Sequence, residues 1–390
     1  MPIINSIADI HEEITAWRRD FHAHPELLYE VHRTAGKIAE LLESFGVDEV
    51  ATGIGRTGVV GVIHGRPGGR TIGLRADMDA LPITEATGLE HASTNKGLMH
   101  ACGHDGHSAM LLGAAKHLAQ TRNFDGTVAV IFQPAEEGGA GGLAMAEDGL
   151  FERFGIEAVY GMHNLPGLPE GAFATCPGAI MASADEFEIA IVGEGGHAAW
   201  PHLAVDPVLV AGHMITALQA IVARNIDPLS SAVLSITRME AGSAYNVIAS
   251  EARLSGTVRT LDPAGRDLVE ERMGAVVENI AKAFGASAKL DFRRGYPVTV
   301  NHPDHIRLAG EIASEIVGAD KVDTAMTPMM GGEDFAFMLE RRPGAYVFIG
   351  NGETSGLHTD TYDFNDEIIP VGVSYMVRLA EVATALTTSK

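Results

Sequence analysis

The first third of the chain alternates between two hydrophobic periods. Apolar residues recur at helical spacing over 7–21 and again over 34–45, where Gly46 occupies a position that commonly ends helices. Short apolar runs follow at 58–63 and 71–74, then a helical stretch over about 108–120. A run at 127–132, a short helix near 143–147 and another run at 157–160 continue the alternation. Strands separated by helices predict an α/β fold, a mostly parallel sheet between helices. From about 183 the pattern changes to strand 185–192, helix 205–223, strands 232–239 and 249–257, helix 263–284 and strand 287–292. This βαββαβ order predicts a ferredoxin-like α+β unit. After Pro297 the first pattern returns, with a helix near 306–316, a strand over 345–349 and a closing amphipathic helix at 369–386. One hydrophobic core stops growing at roughly 250–300 residues, and this chain has 390. The expected division is therefore a main domain of 1–182 and 296–390 with a second domain, 183–295, inserted into it.

Polar residues that follow the apolar runs carry the candidate chemistry. The run at 127–132 leads through Gln133-Pro-Ala to adjacent carboxylates, Glu136 and Glu137. Two desolvated like charges repel, so such a pair has little structural use after a buried strand. Neighbours on an extended chain point in opposite directions. One of the two is thus expected to hold a metal and the other to move a proton. Asp77 and Asp79 follow the run at 71–74, His163 follows the one at 157–160, and His358 follows 345–349. Open α/β sheets gather ligands outside the carboxyl ends of their strands, which brings these scattered positions to one place. Cys102-Gly-His104 adds a thiol and an imidazole that point the same way on an extended segment. Thiolate, imidazole and carboxylate together are zinc or manganese ligands. His100 and His107 read as supporting or helix-start residues, and one of Asp77 and Asp79 as the orienter of a ligand histidine. His22 and His24 open a helical region away from the strand ends and read as structural. His197, in a glycine-rich bend after a strand, is either a surface turn residue or part of a site. Asn246 and Arg259 flank another strand.

Composition narrows the function. A formal charge of −23 without a basic run excludes nucleic acid and anionic membrane surfaces as partners. No run of about 18 apolar residues occurs, so no ordinary transmembrane helix is expected. The amino-terminal segment lacks the basic start of a signal peptide. Two cysteines, Cys102 and Cys176, make no disulfide framework. The expectation is a soluble, cytoplasmic protein.

Several motifs, in order along nearly the whole chain, resemble one family. They are Arg18-Arg-Asp-Phe-His22 through Pro25-Glu-Leu27, Arg75-Ala-Asp-Met-Asp-Ala-Leu-Pro82, His100-Ala-Cys-Gly-His-Asp105 and Gln133-Pro-Ala-Glu-Glu137. They continue with Gly161-Met-His163, Gly195-Gly-His197, Gly256-Thr-Val-Arg259, Gly331-Gly-Glu-Asp-Phe335 and Leu357-His358. The pattern is similar to that of the dinuclear metal-dependent amidohydrolases of the aminoacylase, hippurate hydrolase and indole-acetyl-amino-acid hydrolase type. That resemblance implies a metallopeptidase-like catalytic domain with an inserted lid and dimerisation domain. It implies Cys102, His104, Glu137, His163 and His358 as ligands of two divalent ions, zinc, manganese or cobalt. Glu136 becomes the base, with Asp79 as an accessory residue. His197 becomes the group that stabilises the oxyanion, often from the other subunit of a homodimer. Asn246 and Arg259 match positions that grip a substrate carboxylate, although Ala249 stands where the family usually has proline. The implied reaction is hydrolysis of N-acyl amino acids. A dipeptidase or aminopeptidase on the same metal platform, or a non-catalytic metal-binding relative, are the alternatives.

Overall fold

A computed structural model describes residues 3–385, so Leu386, the last residue of the expected closing helix, lies outside the described residues. The chain divides into two compact units. One comprises Met1–Ile180, Val300–Thr327 and Asp334–Lys390, and the other Met181–Thr299 and Pro328–Glu333.

The first unit is built on an eight-stranded sheet. Four adjacent strands at its centre, in the order Asp125–Gln133, Arg66–Asp77, Ala158–Pro166 and Gly344–Gly352, run parallel. Glu49–Ile54 and Gly58–His64 extend one side antiparallel, and the two-residue strands Phe173–Ala174 and Val322–Asp323 extend the other. Helices on both faces bury the central strands, which is why Val128-Ala-Val-Ile-Phe132 is apolar without alternation and fully buried. Helix His104–Thr121 packs on His11–Ala23 and Ile369–Ala385, and Met110, Leu111, Leu112, Ala114 and Ala115 are all fully buried. That enclosure explains why its apolar positions show little one-sided pattern.

Several elements depart from the expected bounds. The 7–21 helix is interrupted and becomes Asn5–Ala8 and His11–Ala23. The strand expected at 71–74 runs from Arg66 to Asp77, with a register shift where Gly68 and Gly69 take positive φ. The strand expected to stop at 160 continues to Pro166, so His163 lies inside a strand rather than after one. Its partner is Phe348 on the neighbouring parallel strand. Polar side chains at 163–164 hide this continuation from a hydrophobic pattern, because the backbone ladder, not apolarity, carries the strand to its end.

The second unit is a four-stranded antiparallel sheet in the order Ala232–Ala241, Glu251–Thr260, Ala184–Val192 and Ser287–Tyr296. Two helices cover it, Pro207–Arg224 and Pro263–Ala283. Both begin the same way, with proline at the first turn and an aspartate cap. Asp206 accepts from the amides of Val208 and Leu209, and Asp262 from those of Ala264 and Gly265. Such caps contribute about 1 kcal/mol each. Phe187, Ile189, Met214, Leu218, Val269 and Met273 form the core of this unit. A short pairing of Gly196–His197 with Val247–Ile248 projects from the sheet, and hydrophobic patterning gave no sign of it. Two helices, Pro207–Arg224 and Asp366–Ala385, are long and apolar enough by length and composition to cross a membrane. Each packs into a hydrophobic core, and core helices meet the same criterion.

Candidate metal centre

The carboxyl ends of the four parallel strands assemble the donors. Asp77 closes its strand, Glu136 and Glu137 follow the strand ending at Gln133, His163 lies near the end of the third, and His358 follows the fourth. Cys102 and His104 arrive at the start of helix His104–Thr121. They are not presented by an extended segment. Gly103 takes φ 92° as the cap of the helix, and a Cβ there would overlap Asn164 Oδ1. Only glycine fits this left-handed, crowded position, and the bend puts the thiol and imidazole together. Glu136 and Glu137 also depart from an extended geometry, since they occupy a turn.

The donor atoms fall into overlapping groups. Cys102, His104 and His163 form one set whose ligand atoms lie within 4.8 Å of one another, and Cys102, Glu137 and His358 form a second. Cys102 belongs to both. His104, Glu136 and Glu137 form a third set within the same limit. His163 Nε2 is 3.4 Å from the Cys102 sulfur, and His358 Nε2 is 3.3 Å from Glu137 Oε1.

Hydrogen bonds aim these groups. His104 Nδ1 donates to the Asp79 main-chain carbonyl at 2.8 Å, and His163 Nδ1 donates to the Asn164 carbonyl at 2.6 Å. With the proton fixed on Nδ1, each Nε2 offers a lone pair inward. The Asp79 carboxylate accepts from the amides of Glu136, at 2.9 Å, and Glu137, at 3.1 Å, so one residue supports both the turn and the imidazole. His104 Nε2 and Glu137 Oε1 are buried and make no well-aligned hydrogen bond, although His358 Nε2 lies 3.3 Å from the carboxylate oxygen. Orphaned buried groups of this kind are costly unless something binds them. Two orphaned donors inside a thiol, imidazole and carboxylate set fit a divalent cation.

The electrostatics suit a neutral His163 directly, whereas at His104 a cation would take the place of a proton. Burial disfavours a charged His104, yet the Asp77 carboxylate and its other acidic neighbours outweigh it and push the imidazole well up. Burial and the neighbouring His107 hold His163 well below the usual histidine range, so its ring is neutral. Burial pushes the Cys102 thiol up, and a bound cation reverses that penalty by pairing with the thiolate. Burial opposes charge on Glu137 too, but His358 and His104 hold its carboxyl below the usual value.

A buried polar frame surrounds the donors. Arg75 donates to Asp77 Oδ2 at 2.7 Å, to Gln133 at 2.9 Å and to Asp334 at 3.1 Å. Asp77 also accepts from His107 Nδ1 at 2.6 Å, and Nε2 of the same ring lies 2.8 Å from Asn164 Oδ1. The Asp334 amide is 3.4 Å from Glu136 Oε1. His22 is not remote from the strand ends as its position in sequence suggested. Its Nδ1 donates to Asp105, beside His104, at 2.8 Å. Arg18 binds Asp366 through Nε at 2.7 Å and lies 3.6 Å from Asp105. Asn164 Nδ2 donates to the Tyr362 hydroxyl at 2.6 Å, and Tyr362 carried no sequence signal because this partner lies 198 residues away. Arg75 and Asp334 stood within recognised motifs, but nothing in the motifs showed that they pair.

The second unit holds the other three candidates. The Ala198 amide donates to the Asn246 carbonyl at 3.0 Å, which places His197 and Asn246 on one projecting arm. Both border a cavity lined also by Gly242, Ser243 and Ser250. His197 Nδ1 accepts from the Ala199 amide at 3.1 Å, so in the neutral ring the proton sits on Nε2. Arg259 stands apart on strand Glu251–Thr260. It donates to the Asp185 and Val258 carbonyls and to the Thr257 hydroxyl. Asp262, a candidate ion-pair partner for it, is used as a helix cap.

Comparison with known proteins gives one consistent answer. The model of the family described as peptidase family M20/M25/M40 matches residues 73–382. The hippurate hydrolase of Campylobacter jejuni is 43% identical over 380 residues, 97% of this chain and 99% of that protein. The N-acetylcysteine deacetylase of Bacillus subtilis is 42% identical over 373 residues, 95% of this chain and 97% of that one. A solved Bacillus subtilis structure, described as a dinuclear metal-binding peptidase of the M20 family, superposes with a TM-score of 0.85 at 38% identity. It covers 96% of this chain and 98% of the other.

Proposed function

The chain belongs to peptidase family M20/M25/M40, and on that premise we propose a metal-dependent amidohydrolase that cleaves N-acyl amino acids to a carboxylate and a free amino acid. The observation that carries this reading is the pair of donor sets sharing Cys102, with Glu136 beside them. Cys102, His104, Glu137, His163 and His358 would hold two divalent ions. Bound there, the ions would supply Lewis-acid polarisation of the amide carbonyl and lower the pKa of water.

The remaining work falls to side chains. Glu136 takes the proton of the attacking water and returns it to the leaving amine. Asp79 keeps Glu136, Glu137 and His104 in place. His197, with its proton on Nε2, donates to the oxygen on which negative charge develops. Arg259 and Asn246 grip the α-carboxylate, for which a guanidinium offers two parallel hydrogen bonds. The βαββαβ unit serves as lid and as the dimerisation surface of a homodimer, since its sheet has edges that natural proteins cover or pair. We place the enzyme in the cytoplasm on its composition.

The test is hydrolysis by the purified chain of N-benzoyl and N-acetyl amino acids, their carboxamides and free dipeptides, with metal content measured alongside. Expected are metal-dependent cleavage of the N-acyl acids, loss on chelation and recovery on adding metal. The carboxamides should lose about 2–5 kcal/mol of transition-state binding, because the Arg259 guanidinium loses its carboxylate partner. Equal rates on acid and carboxamide would remove the carboxylate grip. Preference for free dipeptides would make the enzyme a dipeptidase, and absence of metal would end the mechanism.

A further inference from the structure

Among the described residues, six that are not glycine have positive φ, and five of them stand around the metal centre. His358 is a candidate ligand. Ala135 and Ala140, at φ 55° and 54°, flank the Glu136-Glu137 turn, while Leu28 and Arg56, at 48° and 83°, lie in two distant segments. Residues with a Cβ rarely adopt this conformation, and where they do the surroundings over-determine it.

The distant segments meet the turn directly. The Tyr29 hydroxyl, next to Leu28, donates to the Gly139 carbonyl at 2.6 Å. Its ring lies close to that glycine, since a Cβ on Gly139 would be 3.3 Å from Tyr29 Cε2. The Arg56 guanidinium covers the Tyr29 ring at 4.1 Å from the centroid. The same segments are anchored beside the site. The Ala80 amide donates to the Glu26 carbonyl at 2.8 Å, so the chain before Tyr29 is tied to the chain after Asp79. The Gly55 amide donates to Asp148 at 2.9 Å, and a Cβ on Gly55 would lie 2.6 Å from the Met145 nitrogen. The Arg56 bend thus rests on helix Gly141–Glu147, which begins where the turn ends.

We propose that Tyr29, backed by Arg56, is a positioning residue that holds the Glu136-Glu137 turn from its carbonyl side, opposite the grip of Asp79 on its amides. The Asp79 carboxylate holds the amides of Glu136 and Glu137, and the tyrosine hydroxyl holds the carbonyl of Gly139. Displacement by a fraction of an ångström at Gly139 moves the base relative to its substrate, and reactions depend steeply on such placement. This rests on the amidohydrolase reading, in which Glu136 is the base. Simple packing is the competing explanation, and Tyr29→Phe separates the two because it keeps the ring and the Arg56 stack and deletes only the hydroxyl.

The experiment compares wild type, Tyr29→Phe, Arg56→Lys and Arg56→Ala as metal-loaded enzymes. It reads kcat and KM on an N-acyl amino acid, metal affinity by calorimetry and amide hydrogen exchange over 138–141. Tyr29→Phe should lower kcat about tenfold, with KM and metal affinity within about twofold of wild type and faster exchange in the turn. Arg56→Lys should retain the cation over the ring and nearly full activity, with Arg56→Ala between. Unchanged kcat and unchanged exchange in Tyr29→Phe overturn the proposal. Wild type inactive on every N-acyl amino acid would sink the amidohydrolase reading instead, and exchange over 138–141 would then decide the clamp alone.

Discussion

At the ends of the parallel strands, His104 and His163 each have one ring nitrogen tied to a main-chain carbonyl inside a buried polar frame. His197 stands exposed on a two-residue pairing, with Asn246 beside it, Trp200 57% exposed and Tyr245 fully exposed. The first region is set before anything binds. Its dipoles and charges are already aimed, so they need no reorganisation during reaction. The second region has one internal hydrogen bond on its histidine ring and open surface around it. Its side chains are ordered by what they meet, at an entropic cost per side chain on the order of 1 kcal/mol. On the proposed reading, the metal donors and the base Glu136 lie in the preset region, and His197 and Asn246 act from the exposed one.

Substitutions test that contrast, and the largest effect is expected at the base. Glu136→Gln keeps the size of the side chain but cannot take a proton, so turnover should fall by about two to four orders of magnitude with metal content unchanged. Glu137→Gln should instead lose metal, as read by elemental analysis. The opposite pattern would exchange their roles. On the exposed arm, His197→Ala should lower kcat by about 10²–10³, the cost of one oxyanion donor, without changing metal content. Mixing it with Glu136→Gln chains should restore activity if the histidine serves the neighbouring subunit. A fully active monomer would exclude that arrangement.

The smallest effect concerns stability and belongs to the buried region alone. Burial disfavours a charged His22, but its hydrogen bond to Asp105 and that carboxylate's charge, together with Glu85, outweigh this and push it up to about 9 despite repulsion from Arg18. His91 and His100 face it as well. A raised folded-state pKa stabilises fully below the unfolded value near 6.5 and loses that contribution as pH rises through about 9. Wild type should therefore be more stable than His22→Gln by about 2–4 kcal/mol at pH 6. The gap should narrow by pH 9.5 in denaturant titrations. A gap independent of pH would mean that folding leaves the His22 pKa near 6.5, and a gap that widens with pH would mean that it is buried uncharged.

The sequence showed the α/β alternation and the βαββαβ order clearly, because both follow from hydrophobic period. It also showed that donors follow apolar runs. Other features depend on geometry that period does not encode. His163 lies within a strand because a neighbouring ladder continues past the apolar run. Cys102 and His104 converge through a left-handed glycine, not an extended segment. His22 reaches Asp105 across 83 residues and Arg75 reaches Asp334 across 259. Tyr29 has no local signature, since a phenol beside a glycine carbonyl leaves no pattern in either segment.

The strand Gly344–Gly352 lies inside the large sheet, between Ala158–Pro166 and Phe173–Ala174, and the helix that seals the same core begins only at Ile369. During synthesis, then, the first unit lacks this strand and this helix until residues 344–385 have been made, with the edge of Ala158–Pro166 open until then. Open edges invite pairing with other chains. The four strands and two helices of the second unit are contiguous by Tyr296, so that unit can form while the other is still incomplete. Protease digestion of ribosome-arrested chains should find a protected fragment covering 184–296 well before 1–180 resists cleavage. In the order of its making, this protein completes its inserted βαββαβ unit before the unit that carries the candidate metal donors.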